Sequence, residues 1–434
     1  MPYFWTHPNL PPLRYAVRFL LKNRVLNYAA FRMYFLMRLS LILALNMQTT
    51  IISYMVYQLT NDELSLGMLG LAEVIPAVGF SLFSGHFVDQ REKKSMLLGC
   101  LTGYLLLSTG FIILSTGPAQ QELGIRLTTW LIYAGVFAGG ALRAFLSPSS
   151  FALLGLIIPK KHLANATTWS STAWQSGAVL GPLLGGLMIA VSSYAISLGM
   201  VLAVQAVALG ALLFIPKQRA APKSKEPIWS SLSEGLKFVF RSQVILAALA
   251  LDMFAVLFGG AVALLPVYAR DILHVGEVGF GWLRAAPGIG SILTLIILSF
   301  YPLKHAPGIK LLLCIAGFGI TTIVFGISTS FLLSFAMLLL GGLLDAVSVV
   351  IRGTVLQLYT PDNMRGRVAA VNTMFISSSN ELGALESGVT ARWMGTKTAV
   401  VFGGLMTLAV VLITYLKAPS LKTLKLDPIA EDKT

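Results

Sequence analysis

Five acidic residues lie deep inside long apolar stretches, where an ionised side chain is unfavourable. A charge at the centre of a bilayer costs about 2.5–3.5 kcal/mol even on the mildest insertion scale, so such a group faces protein or a wet cavity. We therefore interpret these carboxylates as candidate proton-binding groups, and four arginines in comparable stretches as their charge partners. The carboxylates are Glu73, Asp252, Asp345, Glu381 and Glu386, and the arginines are Arg38, Arg143, Arg284 and Arg352.

The apolar stretches that hold these charges are each long enough to cross a membrane. The chain has 434 residues, of which 56% are hydrophobic and 12% are charged, and its mean hydropathy is +0.78. Soluble domains carry about 25% charged residues, and a helix of about 20 apolar residues spans a bilayer. The sequence therefore predicts an all-α membrane protein with twelve spans, at 32–58, 66–88, 95–116, 125–147, 163–189, 194–215, 242–269, 278–302, 309–328, 331–357, 367–391 and 397–416.

The formal net charge of +14 is distributed unevenly between the two sides of these spans. Of the 32 lysines and arginines, 24 fall in the termini and in the segments on the same side, four fall on the other side, and four lie inside spans. Basic residues concentrate on the cytoplasmic side of membrane proteins. The distribution favours a multi-pass protein of the bacterial inner membrane with both termini in the cytoplasm. The positive charge then sets the topology and attracts anionic lipid headgroups, and it does not indicate nucleic-acid binding.

The longest polar break, residues 216–241, divides the spans six and six. It predicts two helical bundles, 32–215 and 242–416, joined by a cytoplasmic linker whose last part, from Trp229 to Arg241, has helical spacing. Residues 1–31 are predicted to form an amphipathic cytoplasmic segment on the membrane surface, with a disordered basic tail as the alternative. Residues 417–434 are predicted to be a cytoplasmic tail.

The two halves repeat at the positions that carry charge. A Pro-x-x-Gly pattern in span 2 recurs in span 8 at an offset of 211, and a Gly-Gly-x-x-charge pattern in span 4 recurs in span 10 at an offset of 202. Glu73 is thus equivalent to Arg284, and Arg143 is equivalent to Asp345. Two parallel repeats would place opposite charges at equivalent depths around a central site.

A glycine ladder in span 5 allows unusually close helix packing. Glycines four residues apart let a neighbouring helix approach at backbone distance, and a proline bends the helix. The pattern resembles the antiporter motif of exporters in the major facilitator superfamily, although plain close packing of two helices is the alternative. It comprises Gly177, Gly181, Pro182, Gly185 and Gly186.

The loop after span 2 also resembles a signature of this superfamily. The resemblance implies a gate in which Asp89 caps a helix N-terminus and pairs with a basic residue. The other gate residues would be Gly85, Arg91 and Lys93. Two positions depart from the signature, because glutamine replaces its usual basic residue and glutamate replaces its usual glycine. A basic loop that only sets topology is the alternative.

Residues 32–416 further resemble the enterobactin-exporter-like branch of the superfamily, through the segments 143–166, 264–273, 285–290 and 365–370. The resemblance implies the major facilitator fold, with two pseudo-symmetric six-helix bundles and a cavity lined by spans 1, 4, 7 and 10. It also implies a proton-coupled antiporter that exports siderophores or multiple drugs by rocker-switch alternating access.

With that lining, Arg143 and Asp345 are expected to face each other across the cavity, either as a proton switch or as a permanent buried ion pair. Glu73 and Arg284 would tune this switch or orient an anionic substrate. Asp252 is the second candidate proton site. Arg38 is expected to reach the inner lipid headgroups, and pairing of Arg38 with Asp252 is the alternative. Glu381 and Glu386 are five residues apart, so we expect only one of them to reach the cavity.

Amide and aromatic side chains in spans 1, 5, 7 and 11 are expected to contact an organic, partly apolar substrate. They are Asn46, Gln48, Trp169, Trp174, Gln175, Phe254, Asn372 and Asn380. A lipid or lysophospholipid transporter and a non-transporting membrane sensor remain alternatives. The sequence has no metal-ligand, nucleophile or nucleotide-binding motif. We therefore predict a monomer that is not an enzyme, needs no cofactor and uses the proton gradient as its energy source.

Overall fold

The structure, a computed structural model, describes residues 24–217, 228–301, 307–361 and 364–422, and every regular element in these ranges is a helix. A backbone in hydrocarbon finds no water, so a helix is the local way to satisfy its N–H and C=O groups. The all-α membrane fold predicted from the sequence is confirmed. The predicted amphipathic segment before residue 24, part of the linker and the tail after residue 422 lie outside the described residues.

Six long helices form the first half. They are α1 (Ala29–Thr60), α2 (Glu63–Gln90), α3 (Lys93–Leu114), α4 (Gly117–Ile157), α5 (Leu163–Val191) and α6 (Tyr194–Leu213). The first helix begins three residues before the predicted span. Asp62 caps α2 by accepting the backbone N–H of Leu64, which allows the chain to reverse direction within two residues of the end of α1.

Six further long helices form the second half. They are α7 (Gln243–Gly259), α8 (Gly276–Phe300), α9 (Pro307–Ile327), α10 (Phe331–Tyr359), α11 (Arg365–Met394) and α12 (Thr396–Lys417). Between α7 and α8 the chain continues as short helical turns, the last of which is a π-helical turn at Tyr268–Ile272. This turn carries two charged residues, Arg270 and Asp271, to the end of the bundle.

Eleven helices within the described ranges are long and apolar enough to cross a membrane. The other long helix, α11, has 30 residues but contains the polar run 377–381. Such a run cannot face lipid. It lies where α11 packs along α2, and a Cβ at Gly70 of α2 would meet the backbone oxygen of Glu381 at 2.9 Å.

The repeat found in the sequence has a counterpart in the helix packing. In the first half, α4 approaches α2 so closely that a Cβ at Gly140 would clash with the backbone oxygen of Glu73. In the second half, α10 approaches α8 in the same way, and a Cβ at Gly342 would clash with the backbone of Pro287. Glycine therefore permits the same close crossing at equivalent positions of both halves.

The two halves are joined at one end and separate at the other. We call the end that carries the linker the linker end, and the opposite end the far end. At the far end a single apolar core contains Tyr57 and Leu66 of the first half together with Leu264 and Phe280 of the second. At the linker end, each apolar core belongs to one half only. The molecule is therefore closed at its far end and parted at its linker end.

The predicted helical part of the linker is confirmed as a helix at Ile228–Arg241, which we call the linker helix. Its Val239 is buried in a core with Leu249 of α7 and Val368 of α11. Glu234 Oε2 lies 2.5 Å from Arg367 Nη1. The linker helix is therefore docked mainly on the second half, and it also approaches α2 of the first half.

Candidate transport site

A charged cluster joins the two halves near the middle of the helices. Arg143 of α4 forms an ion pair with Glu73 of α2, inside the first half. The same guanidinium nitrogen lies 3.7 Å from the Oε1 atom of Glu381, which belongs to α11 of the second half. One arginine is thus shared by two carboxylates from opposite halves of the molecule.

The cluster is accessible despite its depth. The side chain of Arg143 is 57% exposed, and those of Glu73 and Glu381 are 21% and 20% exposed. A charge in a spanning helix cannot face lipid at that depth, so the exposed part of Arg143 faces a wet cavity between the halves. Charges in such a cavity can exchange partners, which a fully buried ion pair does only at a large cost.

Arg284 of α8 adds a second cation to this cluster. It is half-buried and close enough to Glu73 and Glu381 to interact electrostatically with both. The cluster therefore contains two arginines and two carboxylates contributed by four helices, two from each half. Both members of the repeat pair Glu73 and Arg284 belong to it.

The expected contact between Arg143 and Asp345 is wrong in this structure. Arg143 takes its carboxylates from Glu73 and Glu381, because α2 crosses α4 at backbone distance and brings Glu73 alongside. Asp345 is half-buried on α10, and within the described ranges it forms no ion pair or hydrogen bond. Its role in proton coupling stays a prediction.

The alternative pairing of Asp252 with Arg38 is also wrong. Asp252 of α7 forms an ion pair with Arg352 of α10, and Ser348 Oγ donates to Asp252 Oδ1 at 3.4 Å. Asp252 is 5% exposed and Arg352 is 4% exposed. Both lie within the second half, so this pair is buried away from the cavity and fits a role in helix register.

Arg38 of α1 contacts polar groups of its own half and not Asp252. Its Nη1 atom donates to Ser150 Oγ of α4 at 2.9 Å, and its Nε atom donates to the backbone oxygen of Ser170 of α5 at 3.2 Å. The hydroxyl of Tyr34 lies beside the same serine, 3.1 Å from Ser150 Oγ. Arg38 is therefore held inside the first half by neutral oxygens.

The two carboxylates of α11 have different surroundings. Glu381 joins the central cluster, whereas Glu386 is half-buried and forms no ion pair with any residue that the structure describes. A spacing of five residues turns the two side chains to different faces of a helix, as the sequence indicated.

The glycine ladder packs α5 between α1 of its own half and α8 of the other half. A Cβ at Gly177 would meet the backbone nitrogen of Leu43 at 2.8 Å, and Gly181 and Gly185 face the same helix. A Cβ at Gly186 would instead meet the Cα atom of Gly281 of α8 at 2.7 Å. In the opposite direction, a Cβ at Gly281 would meet the backbone oxygen of Pro182 at 2.9 Å. The ladder therefore belongs to the contact between the two halves as well as to the packing of α5 against α1.

The loop after α2 is tied down by its basic residues. Lys93 is buried, and its Nζ atom donates to the backbone oxygens of Val88 and Arg91, the latter at 3.1 Å. The guanidinium of Arg91 lies 4.9 Å from the ring centroid of Phe87. The side chain of Asp89 and the surroundings of Gly85 lie outside what the structure describes. The gating role of this loop stays a prediction.

One predicted substrate residue takes part in a contact between helices. Gln48 of α1 forms a network with Ser108 of α3 and Gln205 of α6, at 2.7 Å and 3.0 Å. Ser108 and Gln205 are fully buried, whereas Gln48 is half-buried, and the network ties three helices of the first half together. Contact of Gln48 with a substrate stays a prediction.

The other predicted substrate residues have varied surroundings. Trp169 packs edge-on against Phe35 of α1, with ring centroids 5.5 Å apart. The amides of Asn46 and Asn380 donate to carbonyls of their own helices. Trp174 and Phe254 are exposed, and Gln175 is half-buried. The buried amide oxygen of Asn372 has no hydrogen-bond partner in the described part of the chain.

Polar contacts between the halves close the far end, and the sequence did not indicate them. Arg392 Nη1 lies 3.0 Å from Asp62 Oδ2, and Arg270 Nη1 lies 2.8 Å from Asn61 Oδ1. A hydrogen bond from Tyr57 to Asp271 accompanies them. We call these contacts the far-end latch. The sequence shows only that Asp62, Arg270 and Arg392 lie near the ends of helices, and no pattern in it pairs them.

In the described ranges, twelve long helices form two halves that meet at one end and surround a charged, accessible centre, which is the architecture of a membrane transporter. The sequence matches the Major Facilitator Superfamily over residues 34–305, and the chain belongs to this family. It is similar to proteins named enterobactin exporter EntS from Escherichia coli O1:K1 / APEC and from Shigella flexneri. Both are 26% identical over 400 residues, which cover 90% of this chain and 92% of each relative.

Solved structures of other transporters share the fold. A D-xylose–proton symporter superposes with a TM-score of 0.68 at 14% identity, covering 92% of this chain and 100% of that one. A bacterial homologue of the human lysosomal transporter Spinster, in an inward-facing and unoccupied conformation, gives a TM-score of 0.65 at 15% identity, covering 91% and 96%. These identities support the fold alone.

Proposed function

We propose that this chain is a proton-coupled antiporter that exports organic small molecules, such as siderophores or drugs, by rocker-switch alternating access. The observation that carries the proposal is the sharing of Arg143 between Glu73 of one half and Glu381 of the other. Relative motion of the halves must change this contact, because its members move with different halves. The protein would work as a monomer, without a cofactor, on the energy of the proton gradient.

The direction of export rests on topology and on the relatives. The one-sided distribution of lysine and arginine supports a bacterial inner-membrane protein with both termini in the cytoplasm. The linker end is then cytoplasmic, and the parted halves are open to the cytoplasm, where an exporter loads its substrate. The proteins named enterobactin exporters are similar over 90% of this chain, which favours export of a molecule of that kind.

Proton coupling follows from competition for Arg143. A carboxylate beside a cation stays ionised, whereas a carboxylate that loses its cation in a desolvated site takes up a proton. When the halves rock and Glu381 leaves Arg143, Glu381 would be free to bind a proton from the opposite side. Rocking back would return Glu381 to Arg143 and release the proton to the cytoplasm. Asp345 on α10 is the second candidate carrier.

The experiment is substrate-induced proton release from energised inside-out vesicles, screened with siderophores, macrolides and dyes. Wild type is compared with Glu381→Gln, Asp345→Asn and Glu386→Gln. We expect a compound to dissipate the gradient in wild type and in Glu386→Gln, which changes the same residue type on the same helix outside the cluster. Glu381→Gln should abolish this response.

Two results would overturn parts of the proposal. If Glu381→Gln releases protons as wild type does and Asp345→Asn does not, the proton site moves from α11 to α10. If none of the compounds releases protons although the protein is folded, proton antiport of these compounds is excluded. Lysophospholipid transport in the same vesicles would then test the lipid alternative, and its absence would leave a non-transporting sensor.

A further inference from the structure

The two halves contain an equivalent polar site between their first and fourth helices. Arg38 lies nine residues after the start of α1, and Asp252 lies nine residues after the start of α7. Ser150 lies seven residues before the end of α4, and Arg352 lies seven residues before the end of α10. Ser150 and Arg352 differ by 202, the offset found for the charged pattern of the same two helices. Arg38 contacts Ser150, and Asp252 contacts Arg352, so the sites correspond in geometry as well as in sequence.

The site in the second half is neutral as a whole. Its carboxylate and its guanidinium pair with each other, and a serine hydroxyl completes the hydrogen bonding. Both charged side chains are nearly inaccessible, so the site is complete without any added group.

The site in the first half has the cation but lacks the anion. Arg38 contacts the hydroxyl of Ser150 and the backbone oxygen of Ser170, both of which are neutral, and no carboxylate in the described part of the chain lies within ion-pair distance of it. A charge in a spanning helix is unfavourable unless it is paired or reaches water. Only two donations are seen, whereas a guanidinium has five N–H donors arranged to match an oxyanion.

This site can be reached from the cavity. Arg38 is partly exposed, unlike the pair in the second half, and it lies in the linker-end part of α1, where the cores of the two halves are separate. An exposed cation in a spanning helix faces water rather than lipid. An anion entering from the linker end would therefore meet Arg38 before the central cluster.

We propose that Arg38, with Ser150, binds the anionic group of the transported molecule, a carboxylate or a similar oxyanion. The substrate supplies the negative charge that Asp252 supplies in the second half. This inference rests on the proposed transport function and adds the substrate class, an organic anion.

The test measures binding by the purified full-length protein in detergent, without a proton gradient. The probes are benzoate and benzamide, which share a shape and differ in charge, and the readouts are the thermal unfolding temperature and tryptophan fluorescence. Trp169 precedes Ser170 in the chain, so its emission can report on the site. We expect benzoate to raise the unfolding temperature and benzamide to leave it unchanged.

Four variants identify the site. Ser150→Asp supplies an internal carboxylate to Arg38 and should weaken benzoate binding by about tenfold relative to Ser150→Asn, which has the same shape without the charge. Arg38→Gln should remove the benzoate response, and it tests the same site if Ser150→Asp does not fold. Arg32→Gln removes an exposed arginine of the same helix and should keep the response.

The proposal is overturned if benzoate and benzamide act alike, or if the benzoate response survives both Ser150→Asp and Arg38→Gln. It is also overturned if chloride or inorganic phosphate reproduces the response at equal concentration, because the site would then hold an inorganic ion. Benzoate binding that persists while the vesicle assay detects no antiport would contradict the proposed function and leave the anion site in place.

Discussion

Two sites inside the spanning helices combine arginine with carboxylates, one as a buried pair and the other as an accessible group. The pair of Asp252 and Arg352 lies within one half and is almost completely buried. The group of Glu73, Arg143 and Glu381 connects the two halves, and its arginine is more than half exposed. A buried pair is fixed, because separating its members leaves an unpaired charge in a medium that solvates it poorly. An exposed pair can be separated at little cost, and so it can take part in a cycle.

The difference shows that a charge inside a spanning helix does not by itself indicate a transport role. Its accessibility and the number of halves it connects discriminate between a structural and a functional site. Three predictions test this distinction.

The largest effect is expected at the buried pair. Arg352→Met leaves the carboxylate of Asp252 buried and unpaired, and should lower the free energy of unfolding by about 3–5 kcal/mol. The double variant Asp252→Leu with Arg352→Met should recover most of this loss, since it removes both charges. Denaturant unfolding in detergent measures both. A transport defect in a stable double variant would contradict a purely structural role.

A smaller effect on stability is expected at the central cluster, together with a large effect on transport. Arg143→Met should lower the free energy of unfolding by less than Arg352→Met does, because Arg143 is more than half exposed and water can partly solvate the carboxylates that it leaves. Proton release in the vesicle assay should fall by about tenfold or more, within the usual range of coupling energies. Unfolding and transport are measured on the same preparation. Loss of stability comparable to that of Arg352→Met would remove the distinction between the two sites.

The smallest effect is expected at the far-end latch, which connects the halves but lies away from the cavity. Arg392→Gln removes the ion pair with Asp62 and should weaken closure by about 0.2–1 kcal/mol. Electron–electron distances between spin labels on the two halves at the far end should then show more of an open state. Arg126→Gln, which removes an exposed arginine confined to the first half, is the control. Equal populations in the two variants would show that the Arg392 contact does not hold this end closed.

The sequence was sufficient for the architecture because its signals are local. Apolar length gives the helices, and the offset of 211 makes Glu73 and Arg284 equivalent, which the structure places in one cluster. The predicted span 367–391 corresponds to α11, whose polar run lies against α2.

The pairing of the charges could not be predicted in the same way. Arg143 was expected to face Asp345, and the structure pairs it with Glu73 and Glu381 because the choice depends on the rotation of α4 and on the tilt between the halves, which no local pattern specifies. Arg38 was left between Asp252 and the lipid headgroups, and it contacts hydroxyl and carbonyl oxygens, which are too common in a sequence to identify a site. The residues of the far-end latch lie in or next to short connections between helices, and the sequence there has no periodic pattern that would indicate which residues meet.

The shared apolar core at the far end has a consequence for how the protein is made. Tyr54 of α1 packs against Phe280 of α8, with ring centroids 5.2 Å apart, and more than two hundred residues separate them in the chain. During synthesis the first half is complete in the membrane before this partner has been translated. Its far end then presents an apolar face that its own helices do not cover. The core at this end is therefore completed only when α7 and the short turns before α8, and then α8 itself, have followed the linker.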